Sequence, residues 1–287
     1  MIKQIEYRGF TWDQQQATIE EPEGIGLASV SDSFTELSQR EGSRSLGWRL
    51  QSRTFGWKST LEGATSTAYI ALRQEMYYAL VPSLVNGYDM TFTLLDDTTR
   101  ILPNVKCIDA PIAVSSDEPS IIWNTYVVSF RSDYPYFLGA ETDETQSVTL
   151  YSGGTAVPAE IPADLSAAAS GSPNDPLSVT NAGNAPAYPV FTITGAGDTF
   201  TIINSTTGKQ FILNTTLTTG QTIVVDTWNK TVVRSDGRSM LDIFEGDFIT
   251  IAGGAAGASN TILFGVTSGD DSSTQLQTVF KDSYFTI

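Results

Sequence analysis

Short runs rich in Thr, Val, Ile, Phe and Tyr, broken by Gly, Asn, Asp or Ser, recur along most of the 287 residues: "IKQIEY", "DMTFTLL", "TYVVSF", "FTITG", "TFTIIN", "KQFIL", "QTIVVD", "DFITI" and "NTILFGV". β-branched and aromatic side chains favour the pleated, half-buried surface of a strand, and the breakers supply turns. The pattern predicts a mainly β chain of sandwiches or barrels. Two junctions read as hairpins: "NSTTGK", where Gly208 can take positive φ, and "DTWNKT", where Asn229 is the expected turn former.

One segment departs from this. "TAYIALRQEMYYALV", residues 67–81, contains no Gly or Pro and spaces Ala68, Leu72, Met76 and Leu80 four apart, with Tyr69 and Ala79 widening the stripe. That is the helical period. Ser66 or Thr67 can cap its start and Pro82 ends it. Tyr77 and Tyr78 read either as a contact surface or as core and rim packing.

Residues 152–176, "SGGTAVPAEIPADLSAAASGSPNDP", have the composition of a linker. The expected organisation is therefore a helix-containing β-domain over 1–145, a connecting segment over 146–176 and a purely β domain over 177–287. "RSDYPYFLGAE", residues 131–141, falls at the end of the first domain. Phe130 and Phe137 are expected inside, and Pro135 forces an extended path out of the last strand. Residues 31–46, "SDSFTELSQREGSRSL", are polar and mixed in charge, and read as a long loop or an arm reaching a neighbouring subunit. Phe34, Leu37, Arg40 and Arg44 are its candidate interface residues.

Composition narrows the chemistry. Histidine is absent and Cys107 is alone, which removes Ser-His-Asp and Cys-His nucleophiles, a standard zinc set and any internal disulfide. The formal charge is −16. It is spread evenly, with 11 basic against 20 acidic residues up to position 150 (net −9) and 5 against 12 beyond it (net −7). A surface of that sign repels phosphate backbones. No stretch is apolar enough to span a membrane, and "MIKQIEYRGFTW" shows no leader-like apolar run. The acidic doublets Glu20–Glu21, Asp96–Asp97 and Asp270–Asp271 point to opposite faces if on strands, so they do not converge as a catalytic pair. No calcium-loop spacing occurs, and "TGAGDTF" lacks the following helix of a phosphate loop, so it reads as a tight bend. No cofactor or metal is expected. Tyr188, flanked by prolines, and Trp228, on the hairpin tip, are candidate exposed aromatic contacts for a sugar ring.

In the C-terminal half, "NAGNAPAYPVFTITGAGDTFTIINSTTGKQFIL", "TGQTIVVDTWNKTVV" and "FITIAGG…NTILF" follow one another. With Asn181, Gly183, Pro189, Gly195, Ile202, Asn204, Gly220, Asp226, Thr227, Asn260 and Phe264 in place, this order resembles the siphovirus distal tail protein family. The N-terminal half agrees through "SRTFGWKSTLEGATSTAYIALRQEMYYALVP", with Arg73 in the usual place, and through "VVSFRSDYPYFLG". The loop "IAGGAAGASN" is longer than the family's usual turn and lacks its Pro.

The resemblance implies a structural, non-enzymatic protein in two domains. The first is a tail-tube-like β-sandwich or barrel with one helix that builds a homo-hexameric ring. The second is a galectin-like or carbohydrate-module-like β-sandwich that projects outward. It further implies a place in the virion, at the tail tip or baseplate, after assembly in the host cytoplasm. Its implied partners are the tail tube protein, a tail tip or tail-associated protein and receptor-binding proteins, with DNA passing through the channel without specific binding. The alternative function is a host-surface carbohydrate-binding adhesion module.

Overall fold

The computed structural model describes residues 2–36, 43–81, 87–109, 111–114, 122–139, 146–149, 176–269 and 274–287. The chain divides into two compact units, Met1–Ala140 with Tyr284–Ile287, and Glu141–Ser283. The last residues of the chain therefore belong to the first unit, whereas the sequence assigned them to the C-terminal sandwich. "YFTI" has the composition of one more strand, and nothing local marks the change of unit.

Unit 1 contains β1 (Ile2–Tyr7), β2 (Phe10–Trp12), β3 (Glu20–Glu23), β4 (Val30–Glu36), β5 (Ser43–Leu50), β6 (Arg53–Glu62), α1 (Ser66–Leu80), β7 (Tyr88–Leu94), β8 (Thr99–Cys107), β9 (Ile112–Val114), β10 (Trp123–Ser132) and β11 (Phe137–Gly139). Its main sheet runs β2-β1-β7-β8-β10-β6-β3. The sheet rolls toward a barrel: residues just after β2 meet β6, where Thr18 N donates to Thr60 O at 3.0 Å and Glu62 N to Gln16 O at 2.8 Å. Inside lies an aromatic core. Trp57 stacks on Phe130 at 5.0 Å between ring centroids, and Trp12 meets Trp57 edge-on at 5.1 Å. Alternation along β6, with Phe55, Trp57, Ser59 and Leu61 inward, puts one face in this core. Phe130 and Phe137 are buried, as expected. The edge strand β3 is "EEPE", exposed along its whole length.

The helix is present one residue earlier than its pattern implied. Its cap is Thr65, whose Oγ1 accepts from Ala68 N at 3.2 Å. Tyr69, Met76, Ala79 and Leu80 are buried, whereas Ala68 is exposed: the buried stripe begins at Tyr69. Pro82 lies outside the described residues. The stretch 31–46 was expected as a loop, but its described parts form an antiparallel hairpin, β4 with β5, running from Val30↔Leu50 to Glu36↔Ser43. This two-stranded sheet pairs with no other described strand.

Unit 2 contains β12 (Gln146–Thr149), β13 (Leu177–Asn181), β14 (Val190–Thr194), β15 (Gly197–Asn204), β16 (Lys209–Leu217), β17 (Thr222–Asp226), β18 (Thr231–Arg234), β19 (Phe244–Gly246), β20 (Ala258–Ser268) and β21 (Gln275–Val279). They form two antiparallel sheets, β12-β21-β14-β17-β18 and β13-β20-β15-β16-β19. The sheets share one core: Phe191, Ile193, Ile223, Val225 and Leu276 from one, and Phe200, Ile202, Phe211, Leu213 and Phe264 from the other. This is a β-sandwich. The hairpin at Gly208 (φ +69°) is present. In the second hairpin the positive φ falls on Lys230 (+54°) and not on Asn229, whose side chain instead bonds Asp226. "TGAGDTF" is a bend passing the chain from one sheet to the other, with Gly195 at φ +106°. Among the described residues the chain is thus mainly β with one α-helix, as its sequence implied.

Candidate functional site

Three surfaces qualify as contact sites. The first is the β4–β5 arm. Phe34 and Arg44 lie on its two strands, while Leu37 and Arg40 lie outside the described residues. Toward the root the arm exposes large apolar groups, with Trp48 69% and Val30 51% accessible. An isolated two-stranded ribbon is marginal in water, and this one carries an exposed tryptophan.

The second is the outer face of α1. Ile70, Tyr77, Tyr78 and Val81 are exposed there, and Arg73 and Glu75 are the helix's charged residues. The inner face is held firmly. Tyr69 Oη and Tyr126 Oη share a hydrogen bond of 2.8 Å, and Tyr77, at the rim between the two faces, meets the Tyr126 ring edge-on at 6.2 Å. At the C-terminal end Arg8 Nη1 donates to Val81 O at 2.6 Å and Ala79 O at 3.2 Å, answering carbonyls that a helix end leaves unpaired.

The third is an aromatic corner in unit 2. Tyr188 and Trp228, chosen separately from the sequence, meet edge-to-face at 4.8 Å. Their loops are stitched together by Thr227, whose Oγ1 donates to Pro189 O at 2.8 Å. Asp226 fixes the turn, its Oδ1 accepting from Trp228 N at 3.0 Å and Asn229 N at 2.9 Å.

Among the described residues the acidic doublets do not assemble into a site. Asp96 accepts from Thr98, which lowers its pKa, in a hairpin turn, while Asp97 pairs with Lys3 at 2.6 Å. Glu21 pairs with Lys58 on the exposed edge of the sheet. Asp270 and Asp271 lie outside the described residues. Among the described residues no group of three or more His, Cys, Asp or Glu could hold a metal ion. Burial pushes the Cys107 thiol upward in pKa, away from the reactive thiolate.

Arg53 was not singled out by its sequence context, the polar run "QSR". It is 1% exposed. Nη1 donates to Gly24 O at 3.2 Å and to Gly26 O, and Nη2 to Pro135 O at 2.7 Å and Phe285 O at 2.9 Å. The guanidinium lies 4.4 Å from the Phe137 ring centroid. Burial lowers its pKa to about 10, so it stays charged at neutral pH.

The motif residues of the C-terminal half turn out to be turn and core residues. Asn181, Asn204 and Asn260 are fully buried. Asn204 Nδ2 donates to Thr250 O at 3.0 Å while its Oδ1 accepts from Thr206 N at 3.0 Å. Asn260 grips Ala252 from both sides, accepting from its N at 2.9 Å and donating to its O at 3.1 Å. Asn181 Oδ1 accepts from Gly183 N at 3.0 Å, and a Cβ on Gly183 would collide with the Ser283 carbonyl. The signature is one of loop anchoring.

Comparison with known proteins agrees with the resemblance read from these residues. The family model "Siphovirus-type tail component, C-terminal domain" matches residues 182–277. Over the whole chain the fold is similar to the crystal structure of the SPP1 Dit (gp 19.1) protein, described as a paradigm of the hub adsorption apparatus in Gram-positive-infecting phages. The TM-score is 0.62 at 14% identity, covering 98% of each chain. Chains of the phage P2 baseplate in its activated conformation, with Ca and with Sr, give TM-scores of 0.46 and 0.44 at 8% identity, covering 98% and 96% of each chain. Among curated proteins none matches.

Proposed function

We propose that this chain, whose residues 182–277 form a siphovirus-type tail component C-terminal domain, is a distal tail protein of a phage baseplate: a structural hub with no bond-making step of its own. The observation that supports this most is that family match, joined to a fold that resembles SPP1 Dit along its full length. In this reading six copies close into a ring between the tail tube protein and the tail tip, leaving a channel for DNA. The −16 charge of each copy discourages adhesion of the passing phosphates where it lines that channel. The protein acts in the virion tail and assembles in the host cytoplasm, with receptor-binding proteins as further neighbours.

A ring needs one heterologous interface repeated by rotation. The β4–β5 arm, with Phe34, Leu37, Arg40 and Arg44, and the outer face of α1 supply it. Electron microscopy of intact particles tests the placement: the chain belongs at the junction of tube and tip, and finding it anywhere else ends the reading. Deleting residues 31–46 should leave a folded, soluble chain that builds no rings.

A second reading, compatible with the first, makes unit 2 a host-saccharide contact. The pairing of Tyr188 with Trp228 on anchored loops favours it, since a rigid aromatic face can stack on a sugar ring. Glycan binding lost in Trp228→Ala supports this reading, and an unaltered binding profile removes it.

A further inference from the structure

We propose that Arg53 is a positioning residue that fixes the root of the β4–β5 arm, and thereby the direction in which the arm meets a second copy of the chain. The proposal rests on the reading of the arm as an assembly surface. Arg53 opens β6 immediately after the arm's outgoing leg, and Gly24 and Gly26 precede its incoming leg. One guanidinium nitrogen holds that incoming leg through the two glycine carbonyls, and the other fastens it to Pro135 and Phe285 in the body of unit 1. One rung further out, Gln51 N donates to Ser29 O at 2.7 Å. Gly24, at φ +73°, leaves no room for a side chain, because a Cβ there would strike Thr54 O. The root is therefore tightly determined.

Beyond Val30 the two strands pair only with each other among the described residues, so the direction of the arm is inherited from its root. A ring closes only when every copy presents its contact at the same angle, and an error at the root repeats at each interface. The fork geometry is what suits arginine to this place. Its donors lie in one rigid plane and reach carbonyls on two sides at once, which a lysine ammonium cannot do. No acidic side chain pairs with it among the described residues, so its bonds run to main-chain carbonyls of the segments it gathers.

The test compares the full-length wild-type chain with Arg53→Met, Arg53→Lys and Trp48→Ser, by sedimentation velocity for association and amide hydrogen exchange for the arm. Arg53→Met should speed exchange at residues 24–36 and 43–52 at least tenfold, leave β10 amides unchanged and weaken association at least tenfold. Arg53→Lys, which keeps the charge without the fork, should show the same pattern to a smaller degree, and decides the matter if the Met variant does not fold. Unchanged association, or faster exchange spread evenly over β10 and α1, overturns the proposal. Loss of association in Trp48→Ser with none in the Arg53 variants sinks the positioning role alone. Association that survives Trp48→Ser sinks the arm as an assembly surface, and this proposal with it. A wild-type chain monomeric at every concentration sinks the assembly reading and, with it, this proposal.

Discussion

Tyr69 on α1 and Tyr126 on β10 share one hydrogen bond, 2.8 Å between hydroxyl oxygens that are both buried. It is a polar pin of the helix–sheet contact, and Arg73 of the helix interacts with both tyrosines as well. Removing one hydroxyl leaves the other buried without that partner, which costs about 1–3 kcal/mol. Tyr69→Phe should lower the urea midpoint with an unchanged slope, while Ile70→Ala on the exposed face should shift it little.

The same pair gives the fold an alkaline limit. Burial, and then the bond to Tyr69, raise the Tyr126 pKa. Above about pH 10, the ordinary tyrosine value, the unfolded chain releases this proton while the folded chain keeps it. Stability is therefore fully present below pH 10 and falls as pH rises past it. Denaturant titrations between pH 8 and 11 should show that decline, and Tyr126→Phe should flatten it relative to wild type.

Arg8 closes the other end of the helix. Its guanidinium donates to Val81 O and Ala79 O and lies 4.4 Å from the Tyr88 ring centroid. Arg8→Ala should cost about 1–2 kcal/mol, in line with a cation lost from a helix C-terminus. Amide exchange should rise first in the last turn of α1, while unit 2 amides stay as they were.

Unit 2 should be intolerant at its buried amides. Asn204→Ala strands the Thr206 N and Thr250 O partners, and about 3 kcal/mol is expected. Gly183→Ala must push aside the Ser283 carbonyl and should be at least as damaging. Thermal unfolding of each variant checks both, with Thr231→Ala on the exposed side of β18 as the neutral control.

The strands and the helix were legible because one face of each is buried. The alternation of β6 and the four-residue spacing of Met76 and Leu80 are direct imprints of a core. The arm was not legible as strands. Its described root has no buried apolar face, so "SDS" shows no period of two and reads as loop. The return of Tyr284–Ile287 to the first unit was hidden for the opposite reason: an aromatic and apolar segment reads the same whichever core it joins. Arg53 was illegible because its partners are main-chain carbonyls, which leave no trace in residue identity. The asparagines and glycines of the C-terminal half form a pattern in the sequence, but their task of anchoring loops shows only in the folded chain.

The edge strand β3 has a consequence for any neighbour. A foreign strand sliding alongside Glu20–Glu23 would find an imide nitrogen with no proton to give at Pro22, and carboxylates on either side of it. Runaway edge-to-edge pairing is refused there, so many copies can be held at high concentration without fusing into fibres along that margin.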